Sequence, residues 1–356
     1  MNNKLLEKLS KNSTVTESCI LDESQFFEEK EIISTPVPVF NVALSGDLNG
    51  GFSEGIITLA GASRSFKTNF ALLMVKSYLD KYPDATVLFY DSEFGAPKSY
   101  FNAFKIDTKR VLHTPIQTIE ELKIDLVNQL NGIQRGDKVI ILVDSIGMLP
   151  SEKEAENAQE GKTTADLTRN RELKSFFRLA TTKLAMKKLS MVVISHSYKT
   201  LELYSRDVIS IGTGGYFASN IMIIVSRSQE KDNSELVGYN FAMTIEKSRF
   251  VKEKSKIPIT VHFNTGISKY SGLLDIALDS GHVIKPSNGW YSRVNIETGE
   301  IEEKKWRIKD TNTSKFWNDI LQAASFKQYI IDTYQYQTGS IVNDVSDELI
   351  SANIDE

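Results

Sequence analysis

A lysine and a hydroxyl side by side at the start of a helix can grip a phosphate and its counter-cation, and Gly61–Thr68, GASRSFKT, ends in such a pair. The segment follows a short apolar run, Gly55–Ala60 (GIITLA), and opens an apolar-striped stretch from about Thr68 to Lys81. Backbone N–H groups of a loop so placed, together with the helix N-terminus, cradle phosphate oxygens. Lys67 then reaches the β- and γ-phosphates of ATP as a point charge, and Thr68 ligates Mg²⁺ through its hydroxyl. The expected nucleotide contacts are Gly61, Ala62, Ser63, Arg64, Ser65, Phe66, Lys67, Thr68 and Asn69. One position departs from the G-x-x-x-x-G-K-[ST] pattern: Phe66 stands where the second glycine belongs. A phenylalanine fits there only if its backbone stays in a helical conformation.

Carboxylates follow at the spacing such a site needs. Asp144 closes the apolar run VIILVDS, where it can touch Mg²⁺ through its water shell. An aspartate at a strand end also caps turns in proteins that bind no nucleotide. Leu88–Gly95, LFYDSEFG, sets Asp91 and Glu93 just past another strand. Ligands of open α/β sheets bind at the carboxyl edge, so Glu93 is the expected general base that orients and deprotonates water.

The elements that must position these residues alternate. Thr86–Tyr90, Lys138–Asp144 and Met191–Ser195 read as further short buried strands, with helices between them. Thr118–Glu121 (TIEE) has capping-box spacing and opens a helix through about Gln134. This pattern predicts an α/β P-loop NTPase core with a mostly parallel twisted sheet flanked by helices. Ser219–Ser226, Gly238–Ile245 and Ile257–Phe263 have little helix between them, which predicts an antiparallel extension. Five segments are expected: a small helical N-terminal piece (1–31), a linker or edge strand that docks on a neighbour (32–40), the core (41–268), a small α+β C-terminal domain (269–340) and an acidic tail (341–356). Pro36 and Pro38 argue for an extended 32–40, and Phe26 and Phe27 either pack locally or dock on another subunit.

Composition narrows the class. The chain has 356 residues, 41% hydrophobic and 25% charged, with no apolar run near the roughly 18 residues of a membrane span. The polar start predicts a cytoplasmic protein. One cysteine and four histidines exclude an internal disulfide and argue against a zinc site. The net charge of −4 gives no basic surface, so any nucleic-acid contact must be local.

At these motifs the chain resembles the RecA family, and within it the UvsX recombinases of T-even-type phages. The likeness runs through FNVALSGDLNGG, GIITLAG, FYDSEFG, VDSIG, IEKSR, VKEKSK, YSGLLD and KPSNGWY, and those phage proteins also carry phenylalanine before the P-loop lysine. The resemblance implies an ATP- and Mg²⁺-dependent recombinase that forms a helical filament on single-stranded DNA, pairs it with homologous duplex, and works with a single-strand binding protein and a mediator. It implies that Tyr100 stacks on adenine. It makes His196 a sensor linking the γ-phosphate to a DNA loop, and makes Lys247 and Arg249 cations reaching the neighbouring subunit's γ-phosphate. Two polar stretches, about Ser151–Ala165 and Ser197–Tyr216, correspond to the family's DNA loops. Arg169, Arg171 and Arg206 become candidate phosphate partners, Ile209 or Ile211 a wedge between bases, and Thr213, Gly214 and Gly215 a close backbone approach to phosphate. A hexameric helicase and a regulatory P-loop ATPase without DNA share the core and remain alternatives.

Overall fold

Near-continuous apolar runs too short for helices must pair with one another, because a sheet covered on both faces buries every side chain and still satisfies the backbone. The structure, a computed structural model, describes residues 4–27, 30–162, 167–200, 207–232 and 234–336. Its strands are β1 (Gly55–Gly61), β2 (Thr86–Asp91), β3 (Val111–Pro115), β4 (Val139–Asp144), β5 (Ser190–Lys199), β6 (Asp207–Ile209), β7 (Ile221–Asp232), β8 (Glu235–Ser248), β9 (Lys256–His262) and β10 (Gly266–Ile267). The order across the sheet is β10-β9-β8-β7-β1-β5-β4-β2-β3, with β6 paired to the outer end of β5. From β7 to β3 all neighbours are parallel. From β7 out to β10 they are antiparallel. This is the expected RecA-like α/β core with its antiparallel extension.

The helices before β10 are α1 (Lys4–Lys11), α2 (Pro38–Ser45), α3 (Lys67–Lys81), α4 (Lys98–Ala103), α5 (Ile119–Gly132), α6 (Glu152–Gln159), α7 (Thr168–Lys187) and α8 (Gly212–Ala218). After β10 come α9 (Leu273–Asp279), a three-stranded sheet of β11 (Val283–Ser287), β12 (Trp290–Arg293) and β13 (Trp306–Arg307), then α10 (Ser314–Gln322) and α11 (Ala324–Tyr334). Alternation along each strand sends side chains to two layers. Ile57, Leu59, Ile140, Leu142, Val192 and Ile194 join Phe40, Phe70, Leu273, Trp317 and Phe326 in one apolar cluster. Ile56, Ile141, Val143, Met191 and Val193 join Leu126, Leu173 and Phe177 in the other. The C-terminal helices therefore share the core of the first layer. No helix among the described residues is long and apolar enough to cross a membrane.

Two differences from the sequence reading concern the N-terminal region. The extended stretch beginning at Ile32 stops at Val37; Ile33 bridges Phe52, and Pro38 then takes the first turn of α2. A proline there gives up an N–H that no helix uses, so Pro38 starts the helix instead of forbidding it. Val39 and Phe40 are wholly buried in their own chain, which corrects the idea that 38–40 is part of a docking strand. Phe26 lies under the Arg135 guanidinium, 4.8 Å away, and Arg135 Nη2 donates to Gln25 O (2.6 Å), so this stretch is held at the surface by its own chain. Helix α1 buries none of its residues. The tail 341–356 lies outside the described residues.

Candidate nucleotide and DNA site

Four adjacent parallel strands carry the chemistry to one edge. Gly61 at the end of β1 is in register with His196 on β5, and Asp91 at the end of β2 with Asp144 at the end of β4. The P-loop leaves β1 and enters α3 at Lys67. Together with Glu93, Tyr100, Asp144 and His196 it lines a cavity of about 300 Å³.

Within the loop, Phe66 lies in the left-handed region (φ 65°, ψ 15°), as does Arg64 (φ 60°). This corrects the expectation that the Phe66 backbone is helical in the ordinary right-handed sense. A side chain in this conformation costs about 1–2 kcal/mol. The ring offsets that cost by packing 5.6 Å from Phe70 and 5.5 Å from Phe241. From β7, Arg227 Nη1 donates to Arg64 O (2.9 Å) and holds the other left-handed residue.

Lys67 folds onto its own loop, donating to Gly61 O (3.0 Å) and Ala62 O (2.8 Å). Burial pushes its ammonium below the usual range, and Glu93 and Asp144 pull it back up. Thr68 Oγ1 donates to Asp144 Oδ2 at 2.7 Å. Burial pushes the Asp144 carboxyl up to about 6, with Glu93 and Asp91 adding to the rise and Thr68 and Lys67 opposing it. A buried carboxylate beside a hydroxyl, with too little positive charge near it, fits a divalent cation with oxygen ligands.

Glu93 sits beyond β2 with Oε1 hydrogen-bonded to His196 Nε2 (2.8 Å) and accepting from Ser145 Oγ. Burial raises its pKa, but the bonds from Ser145 and His196 and the charge of Lys67 outweigh burial and hold it below the ordinary value. It is therefore ionised at neutral pH and able to take a proton. Asp91 does a different job. Its Oδ1 accepts from the backbone N–H of Glu93 (3.1 Å) and Phe94 (2.7 Å), and its Oδ2 meets His113 Nε2 at 3.1 Å. It caps the turn that carries Glu93.

Lys247 and Arg249 do not join this cavity. Lys247 pairs with Met222, whose partner on β1 is Thr58, before the P-loop begins. Its Nζ donates to Tyr216 O and Phe217 O, both at 2.8 Å, and Arg249 is exposed.

The DNA candidates divide. The first stretch is not a loop throughout: Ser151 accepts from Glu154 N (3.1 Å) and caps α6, while 163–166 lie outside the described residues. Arg169 donates to Leu149 O (2.8 Å), Gly147 O (3.0 Å) and Ile146 O (3.2 Å), so it braces the turn after β4 and is not free for phosphate. Arg171 is exposed on the first turn of α7, 3.3 Å from Glu172. In the second stretch β5 runs past the expected end at Ser195 and pairs with β6 as a ribbon, Ser197 opposite Ile209. Residues 201–206, and with them Arg206, lie outside the described residues. Ile211 is 1% exposed in the core, which corrects its role as a wedge; Ile209 is only partly buried. Gly214 and Gly215 are inside α8. A Cβ on Gly214 would meet Lys174 Cα at 2.7 Å, and one on Gly215 would meet Ile211 Cγ1 at 2.3 Å. Those glycines serve helix packing rather than phosphate contact, while Thr213 stays exposed.

Ser145, Ser92, His113 and Arg227 were not singled out from sequence. Only the register of β2 against β3 and β4 and the approach of β7 to the P-loop bring them in, and a linear motif carries none of these.

Residues 270–330 match the family model described as the C-terminal domain of the bacteriophage T4 recombination and repair protein. The full chain is similar to the recombination and repair protein of Enterobacteria phage T4, 46% identical over 99% of this chain and 90% of the relative. It is more distantly similar to RecA proteins, at 23% identity for Nocardioides sp. (75% of each chain) and 24% for Cutibacterium acnes (78% of each chain).

Proposed function

The chain belongs to the UvsX family of phage recombinases within the RecA class, and from that membership we propose how its residues divide the work of an ATP-driven filament. It is a recombinase and a DNA-dependent ATPase. It binds DNA and self-associates, and it uses a nucleotide with magnesium. The observation that carries the finer reading is the convergence of P-loop, Glu93, Asp144 and His196 from four neighbouring strands on one cavity.

ATP is the substrate. Lys67 exchanges its loop carbonyls for phosphate oxygens, and Tyr100 takes the adenine face. Thr68 and Asp144 hold Mg²⁺, which would neutralise phosphate charge. Glu93 takes the proton of the attacking water. His196 lies on the strand that continues into the β5–β6 ribbon, so its contact with Glu93 links the site to the stretch that faces DNA. Arg171, Thr213 and Ile209 remain the described candidates for DNA contact. Lys247 and Arg249 act on the neighbour's site, a reading supported by their position away from their own P-loop. The exposed side of 32–37, with Ile32, Ser34 and Pro36, docks on a neighbour, and 269–340 forms the smaller C-terminal unit. A single-strand binding protein and a mediator are proposed partners, and the host cytoplasm the proposed site of action.

Joint-molecule formation tests the reading. With ATP and Mg²⁺, the protein should pair circular single-stranded DNA with homologous linear duplex and leave a heterologous duplex untouched. Pairing that ignores homology, or discrete rings that unwind forks without filaments, would overturn it.

A further inference from the structure

Glu93 has a second holder besides the histidine. Two groups, Ser145 Oγ and His196 Nε2, meet at its Oε1, and no hydrogen bond among the described residues reaches Oε2. The two holders differ in how firmly they are fixed. His196 is partly buried on a strand that runs out into the β5–β6 ribbon. Ser145 is wholly buried, and its peptide is clasped from both sides by one hydroxyl. Ser92 Oγ donates to Ser145 O (2.7 Å) and accepts from Ser145 N (3.0 Å). Ser92 N also donates to Asp144 O (3.0 Å), so the turns after β2 and β4 are tied together directly beneath Glu93.

We propose that Ser145 is the positioning residue of the general base: its hydroxyl holds Glu93 Oε1 throughout turnover and leaves Oε2 to receive the proton of the attacking water. The proposal rests on the reading of Glu93 as base. Water oxygen bonds to the γ-phosphorus as the bond to the β–γ bridging oxygen breaks; the water proton passes to Oε2 and then to solvent. His196 can trade Glu93 for a phosphate oxygen in that cycle without releasing the base, because Ser145 stays. In this division His196 supplies the conditional contact and Ser145 the permanent one. Losing one hydrogen bond to a charged group is worth about a 10- to 100-fold change.

Steady-state ATP hydrolysis by the full chain on single-stranded DNA, measured for Ser145→Ala, tests this. The expected result is a kcat lower by about 10- to 100-fold, with KM for ATP, the Mg²⁺ concentration for half-activity and filament assembly on a non-hydrolysable ATP analogue unchanged. Ser145→Cys, with a weaker donor of similar size, should give an intermediate kcat, and it supplies the comparison should the alanine variant unfold. An unchanged kcat overturns the proposal. So does a rise in KM or in the Mg²⁺ requirement that parallels the fall in kcat, since Ser145 would then be acting through Asp144. Glu93→Gln run alongside separates the two readings. Retained turnover there removes the base itself, whatever the serine variants do.

Discussion

Phe66 occupies a backbone conformation that glycine adopts freely, and it is retained by aromatic packing on Phe70 and Phe241. Truncation to alanine loses the packing and keeps the strain; truncation to glycine loses the packing and relieves the strain. Phe66→Gly should therefore be more stable than Phe66→Ala by about 1 kcal/mol, the reverse of the order found in an ordinary helix. Urea denaturation of the two variants measures this, and an alanine variant at least as stable contradicts the left-handed assignment. Asp144 offers a pH-dependent case. Its folded pKa, pushed up to about 6, exceeds its value of 3.8 when unperturbed. Stability from this group is thus fully present below the unfolded pKa and lost as pH rises through about 6. Without nucleotide or Mg²⁺, Asp144→Asn should raise the melting temperature at pH 8, on the order of 1–3 kcal/mol of stability, with the gain fading toward pH 4. A gain that grows on acidification would contradict the burial account. The same variant should lose Mg²⁺-dependent turnover.

At the scale of elements, the parallel strands and the capping box at Thr118 were legible because hydrophobic runs and the T-x-x-E spacing are local signals. Thr118 Oγ1 does accept from Glu121 N (3.2 Å), and Glu121 Oε2 accepts from Thr118 N (3.3 Å). Helix α2 was not legible, because two prolines in IISTPVPVF mask a start at Pro38. Helix α6 is not legible although Ser151 and Glu154 carry a cap spacing, since its residues bury no face and give no apolar period. The P-loop, Glu93 and Asp144 could be found from their motifs, whereas Ser145 and Arg227 depend on which strands are neighbours. The glycines of GTGGY show the same limit: sequence marks a small residue, and only packing says why it is small. Alanine normally gains over glycine inside a helix, but a Cβ on Gly214 would meet backbone of α7 at 2.7 Å. Gly214→Ala should destabilise by about 1–3 kcal/mol by parting α7 from α8. A stabilised variant in thermal unfolding would return Gly214 to the role of a loop residue.

For the whole molecule, the −4 charge leaves no general attraction for DNA, so binding must come from a local feature of the surface. In the proposed filament a neighbouring subunit completes the ATP site. Lys67 lies in the cavity, while Lys247 on β8 and the exposed Arg249 just past its end lie away from it. Lys67→Ala and Arg249→Ala should each lose DNA-stimulated turnover, and mixing the two variants should restore part of it, because some interfaces then combine one intact P-loop with one intact Arg249. No recovery on mixing, with both proteins still forming filaments, would place Arg249 in its own subunit's site or outside the chemistry. The central claim is that one P-loop site hydrolyses ATP when DNA is bound, and the most direct measurement is ATP turnover with and without single-stranded DNA. A rate strongly raised by DNA in the wild type and absent in Lys67→Ala is the predicted result. A rate indifferent to DNA, or DNA stimulation that survives Lys67→Ala, would contradict it.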